Sequence, residues 1–311
     1  MSAVIFTLLL LAQLLASPTA ADSQNIARSE AIAQRVGDTL WPGWSHAPFG
    51  IDLQTPNGSV LLNSPASFDL PNFPPTFEAT MVLGPNIPTI VIGEPVLTQA
   101  KTPIRWSVTL LHEHFHQWQY SWPQYQSAVK ALGLAPPGDT NAMWMLNYPF
   151  PYADAIVSAA YDDMSHKLAV ALTSIGTDSF RSNSAAYLAS RSAFRHMLKP
   201  ADYRYFAFQC WQEGTARYTE IMVGQFAAQA HDKDATFLND ADAISLREDS
   251  IATYGRVLTR LVTRPLKDDQ RVDFYALGAG EALLLDQLSP GWRLRYLDSN
   301  LDLGAFFPPS D

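Results

Sequence analysis

From residue 101 onward, apolar side chains recur every three to four positions, the period of helices that bury one face. That spacing predicts helices over 103–121, 152–173, 184–198, 203–229, 245–262 and 273–287. The segment 23–40 has the same period in Ile26, Ala27, Ala31, Ile32, Ala33, Val36 and Leu40. It stops at Trp41-Pro42-Gly43, so one more amphipathic helix is expected there. Between Gly50 and Val96 the texture changes. Short apolar runs at 59–62, 79–83 and 89–92 are separated by Pro, Gly and Asn, which predicts the strands of one modest sheet. No internal repeat or low-complexity block interrupts the chain. The expected class is α+β in a single domain over 22–311, strand-rich over 22–100 and helical over 101–311.

Composition adds boundary conditions. With 47% hydrophobic and 16% charged residues in 311, the chain can bury a sizeable core and is not disordered. Its formal charge of −9 lacks the basic footprint of a nucleic-acid binder, so no nucleic-acid partner is expected. Cys210, the one cysteine, cannot form an intramolecular disulfide. Residues 4–16 are almost wholly apolar and are followed by Ser17-Pro18-Thr19-Ala20-Ala21, small residues before Asp22. Residues 1–21 therefore read as a signal peptide cleaved near Ala20 or Ala21, and the run is short against the roughly twenty residues that span a bilayer. The mature chain is expected to be exported, periplasmic or secreted, with no stable membrane insertion.

The chemistry enters at Leu110-Leu111-His112-Glu113-His114-Phe115-His116-Gln117-Trp118. This is H-E-x-x-H within an apolar helical pattern. On a helix His112 and His116 lie about 40° apart, so both imidazoles can reach one zinc ion. Glu113, on the adjoining edge, then reaches a water beside the metal and not the metal itself. His114 points about 160° from His116 and is expected to be packed or hydrogen-bonded. A catalytic zinc takes three protein ligands, so a third must come from elsewhere. Glu213 sits in the apolar, aromatic stretch Phe208–Tyr218, where an unpaired carboxylate is costly, and Gly214 and Ala216 leave room for a second helix. Alone, Glu213 would read as an i, i+4 partner of Arg217. Gly278 and Gly280 read as positions of close helix packing, and Cys210 as a buried thiol.

His112, Glu113, His116 and Glu213 resemble the gluzincin branch of the zincin metallopeptidases, in which a second helix supplies the third zinc ligand. The context Glu213-Gly214-x-Ala216-x-Tyr218 is similar to the segment around that ligand in several gluzincin families. The resemblance implies a zincin-like fold, Zn²⁺, a peptide or protein substrate, and Glu113 as general base. It also implies that 89–93 is the edge strand beside the active-site helix. Two features depart from the pattern. His116 and Glu213 are 97 positions apart, longer than in compact members, and Arg217 stands where some members carry an acid that orients a ligand histidine. Glu220, within about 20° of the face of Glu213, is either that orienting acid or exposed. Tyr275 and Tyr218 are candidate donors to the reaction's oxyanion.

The function expected from these residues is an exported zinc peptidase. Two alternatives accompany it. One is a non-catalytic binding module clamped by a metal, which requires four protein ligands. The other is a zinc amidase acting on cell-wall material.

Overall fold

A computed structural model describes residues 16–139 and 142–308. The signal-peptide expectation falls largely outside the described residues. Ala20 and Ala21, where cleavage is expected, lie in the first turn of helix α1, Ala20–Leu40. Thr19 caps that helix by accepting from the Asp22 amide at 3.1 Å, and the Asp22 carboxylate accepts from the Thr19 amide at 2.9 Å. Cleavage after either alanine removes this cap, worth about 1 kcal/mol. Among the described residues no helix is long and apolar enough to cross a membrane.

A four-stranded sheet follows: β1 Ile51–Thr55, β2 Gly58–Leu62, β3 Glu78–Leu83 and β4 Ile87–Gly93. Its order is β2-β1-β4-β3, with β1 parallel to β4 and the outer pairs antiparallel. Strand β4 is therefore interior, which corrects its expected place at the edge. β3 occupies that edge. The three anticipated strands are present, whereas β1 was not anticipated. Asp52 and Gln54 make its sequence look half solvated, yet both are buried.

The helical part comprises α2 Pro103–Ser121, α3 Tyr125–Ala131, α4 Trp144–Asn147, α5 Ala155–Thr173, α6 Phe180–Met197, α7 Pro200–Gln209, α8 Thr215–Lys233, α9 Asp240–Thr263, α10 Leu266–Asp269 and α11 Asp273–Leu288. The molecule is mixed α+β. Helix α2 begins where Thr102 accepts from the Arg105 amide, with Pro103 preset for the first turn, and ends before Trp122-Pro123. One side of α2 meets the sheet: Trp106 and Leu110 pack with Ile51, Leu53, Ile90 and Ile92. Gln117 adds register by donating to the carbonyls of Gly50 at 2.8 Å and Pro88 at 3.0 Å. The opposite side of α2 joins the main core, where Phe115 and Trp118 lie against Trp41 and Tyr296. With both sides covered, α2 is a rigid platform.

The expected continuous helix over 203–229 is divided. A π-helical turn, Cys210–Gly214, separates α7 from α8. The Thr215 hydroxyl donates to the Trp211 carbonyl and Gln119 donates to the Gln212 carbonyl at 3.3 Å, which occupies carbonyls that the wider turn leaves unpaired. Gly214 and Gly278 touch across this turn. A Cβ on Gly214 would lie 2.4 Å from Gly278 Cα, and one on Gly278 would lie 2.5 Å from the Cys210 carbonyl oxygen. Only glycine at both positions lets α11 approach so closely.

Candidate metal centre

The crossing of α2 with the π turn brings His112, His116 and Glu213 together, although 97 positions separate the last two. The Nε2 atoms of His112 and His116 are 3.2 Å apart. Glu213 Oε2 lies 3.5 Å from His116 Nε2 and 4.0 Å from His112 Nε2. Ligand atoms of a tetrahedral zinc, each about 2.0–2.1 Å from the ion, stand roughly 3.3 Å from one another. The three donors thus suit a small divalent ion once Glu213 moves roughly 0.7 Å closer to His112, the other two separations being within about 0.2 Å of that spacing. The set is two imidazoles and one carboxylate, of which Glu213 is the part open to solvent.

Each histidine is held from behind. His112 Nδ1 donates to Glu220 Oε1 at 2.7 Å, and His116 Nδ1 donates to Gln119 Oε1 at 2.6 Å, so each Nε2 is left to face the metal position. Glu220 is buried, which resolves its two readings in favour of the orienting acid. Burial alone would raise its pKa, but Arg105 and then Arg217 hold it well below the usual carboxylate range. Arg217 donates to Glu220 at 2.7 Å and so is not the partner of Glu213. Gln119 is fixed in turn by donating to the Tyr296 hydroxyl at 2.7 Å. Its role was not foreseen, since any glutamine in an apolar helix could occupy such a place.

Glu113 lies on the same side as the ligands, with Oε1 3.9 Å from His112 Nε2. The Thr80 hydroxyl, on edge strand β3, sits 2.8 Å from the Glu113 carbonyl oxygen and 2.9 Å from its Oε2. One hydroxyl proton serves both acceptors, so Thr80 orients the carboxylate without neutralising it. His114 is set apart: it lies between the rings of Trp44 and Phe49, and its Nε2 is 3.2 Å from the Ala47 carbonyl oxygen. Burial lowers its pKa to about 4, so it stays a neutral packed ring. Cys210 is buried and its thiol pKa is pushed up, first by burial, which makes it unreactive.

Three further side chains surround the ligands. The Tyr275 hydroxyl accepts from Arg271 at 2.6 Å and faces the Glu213 carboxylate. Tyr120 stacks on His116 with centroids 6.4 Å apart, and its pKa is raised by burial and then by Glu213 and Glu113. Tyr218 is a correction. It is fully buried, packs on Trp41 and Trp292, and donates to Asp286 at 2.7 Å, facing away from the ligands. Tyr120 and Arg271 were missed because an aromatic or basic residue in a helix is usually packing or solvated face.

A metal held at this centre would compete with protons for the same nitrogen and oxygen atoms. Burial would lower the pKa of His116, but Glu213 overrides it and raises that pKa to about 9, while Glu213 itself falls to about 2. A histidine whose folded pKa lies above its unfolded value of about 6.5 contributes stability that is complete below that pH and lost as pH rises through the folded pKa. Chelated protein is therefore expected to lose stability between pH 7 and pH 9, and metal-loaded protein to keep it, because the ion replaces the proton. Urea titrations of both forms at the two pH values check this. Equal pH dependence would show that His116 is not the group concerned.

Compared with protein-family models, with curated proteins and with solved structures, the chain matches none.

Proposed function

We propose that the chain is an exported zinc-dependent peptidase of the zincin kind, with His112, His116 and Glu213 as ligands and Glu113 as general base. The observation that carries this reading is Glu113 itself, a buried carboxylate beside three donors at zinc spacing and oriented by a hydroxyl from the edge strand. A clamp has no use for such a group, and among the described residues the donor set has three members where a structural zinc uses four. Edge strand β3 alongside α2 also suits an extended peptide that adds to the sheet by backbone pairing.

When bound, zinc polarises the scissile carbonyl and lowers the pKa of a water. Glu113 would take a proton from the attacking water and pass it to the leaving amine, while Thr80 keeps its carboxylate aimed. Tyr275, aligned by Arg271, is the donor to the developing oxyanion. His112 and His116 are kept in one tautomer throughout by Glu220 and Gln119. Two imidazoles and a carboxylate favour zinc over harder cations such as Mg²⁺. The purified chain is expected to hold about one zinc per molecule and to digest a peptide library in a chelator-sensitive way. No zinc after reconstitution, or digestion indifferent to chelator, overturns the proposal.

A further inference from the structure

Beside Tyr275 runs a groove of about 670 Å³, walled by α9, the start of α8 and the first turn of α11. Four guanidinium groups line it, from Arg217, Arg256, Arg260 and Arg264, with the hydroxyls of Thr253 and Tyr275 among them. Among the described residues no acidic side chain lines it. In a chain of thirty acidic and twenty-one basic residues this is a local inversion of sign, and a concave wall concentrates the field it produces.

The four arginines differ in how far they are already neutralised. Arg217 is paired with Glu220, and Arg260 with Asp269 and Asp273 at 2.8 Å each. Arg264 comes only to 3.7 Å from Asp269. Arg256 forms no ion pair among the described residues; its guanidinium donates to the Thr253 hydroxyl at 2.6 Å. Partial burial and then neighbouring Arg105 lower its pKa, against the opposing pull of Asp249 and Glu220, both of which are already paired with Arg105. Tyr275 links this groove to the metal centre, since it lines the one and its hydroxyl faces Glu213 in the other.

We propose that the groove binds a carboxylate of the substrate, with Arg256 as the anchoring guanidinium. The planar fork of arginine matches a carboxylate with two parallel hydrogen bonds, and Thr253 sets its direction. The inference deepens the peptidase reading: it assigns the enzyme peptides with an acidic side chain, or a free C-terminal carboxylate, near the cleaved bond. The binding itself does not depend on turnover.

The test uses the full zinc-loaded chain and matched peptides that differ only by Glu or Gln at successive positions around the bond, each made as the C-terminal acid and amide. At one position, or at the terminus, kcat/KM is expected to favour the carboxylate by about tenfold or more, in keeping with a hydrogen-bonded charge. Arg256→Gln should erase that preference and Arg256→Glu reverse it. Arg247→Gln, which removes an exposed arginine paired with Asp232 on another part of the surface, should leave it intact. Binding of the same peptides to Glu113→Gln protein, with and without Arg256→Gln, is read by calorimetry. Carboxylate-dependent binding that needs Arg256, without cleavage by the wild type, keeps the groove and overturns the peptidase reading. If neither rates nor binding separate Glu from Gln and acid from amide, or if the difference survives Arg256→Gln, the groove assignment fails whatever becomes of the peptidase reading.

Discussion

Glu113→Gln is expected to retain its full complement of zinc and to cleave peptides at least a hundredfold more slowly than the wild type, within the usual contribution of general acid–base catalysis. The amide keeps the size of the carboxylate and can still bond to Thr80, so the fold and the three ligands are undisturbed. What it lacks is an oxygen basic enough to take a proton. Unfolding temperature and metal content should therefore stay near wild-type values while kcat falls and KM changes little. A Glu113→Gln protein that turns over at the wild-type rate would remove Glu113 from the chemistry, even with zinc in place. Thr80→Val is the companion change: by releasing the carboxylate from the edge strand it should lower kcat by less than Glu113→Gln does, again with zinc retained.

Gly278→Ala should destabilise the protein by about 3 kcal/mol or more, the upper end of overpacking costs, because the added methyl meets backbone and not a movable side chain. At the scale of this chain that corresponds to a fall in Tm of about 5 °C or more. The same push acts on Cys210 and Gly214, the two ends of the turn that carries Glu213, so zinc affinity should fall together with stability. Gly255→Ala provides the contrast. It lies in α9 with open space around the new methyl, and there the better helix propensity of alanine should leave Tm unchanged or slightly raised. Equal effects at the two glycines would mean that the contact between Gly278 and the π turn does not hold the site.

The helix carrying His112 and His116 is legible in the chain because its evidence is local. Apolar spacing, Thr102-Pro103 at the start and Trp122-Pro123 at the end bound α2 at the same residues the structure shows. Two histidines four apart share a face on any helix, since the turn repeats every 3.6 residues. Glu213, a carboxylate among aromatic residues, could be singled out at a distance only because the two histidines call for a third donor, and Gly214 and Gly278 by their missing side chains. The structure puts these two glycines against each other.

Contacts between remote segments obey no such local rule. Whether Glu220 turns inward depended on Arg105 and Arg217 arriving beside it to offset its burial. That Thr80 and not the β4 run meets Glu113 follows from strand order, which period-two alternation does not encode. β1 escaped notice because its polar positions are covered by the fold and not by its neighbours in sequence. The extra residue per turn at 210–214 falls where α11 touches the chain through Gly278 and Gln119 donates to the Gln212 carbonyl, contacts that no local spacing announces. The amino-acid pattern thus determined helix α2, most of the long helices that follow it and the shared face of His112 and His116, all consequences of spacing within a few turns. Tertiary structure decided that Glu220 stands behind His112, that Thr80 meets Glu113 and that a groove of arginines opens beside them, because side chains tens of positions apart or more, 108 for His112 and Glu220, meet only through the way strands and helices pack.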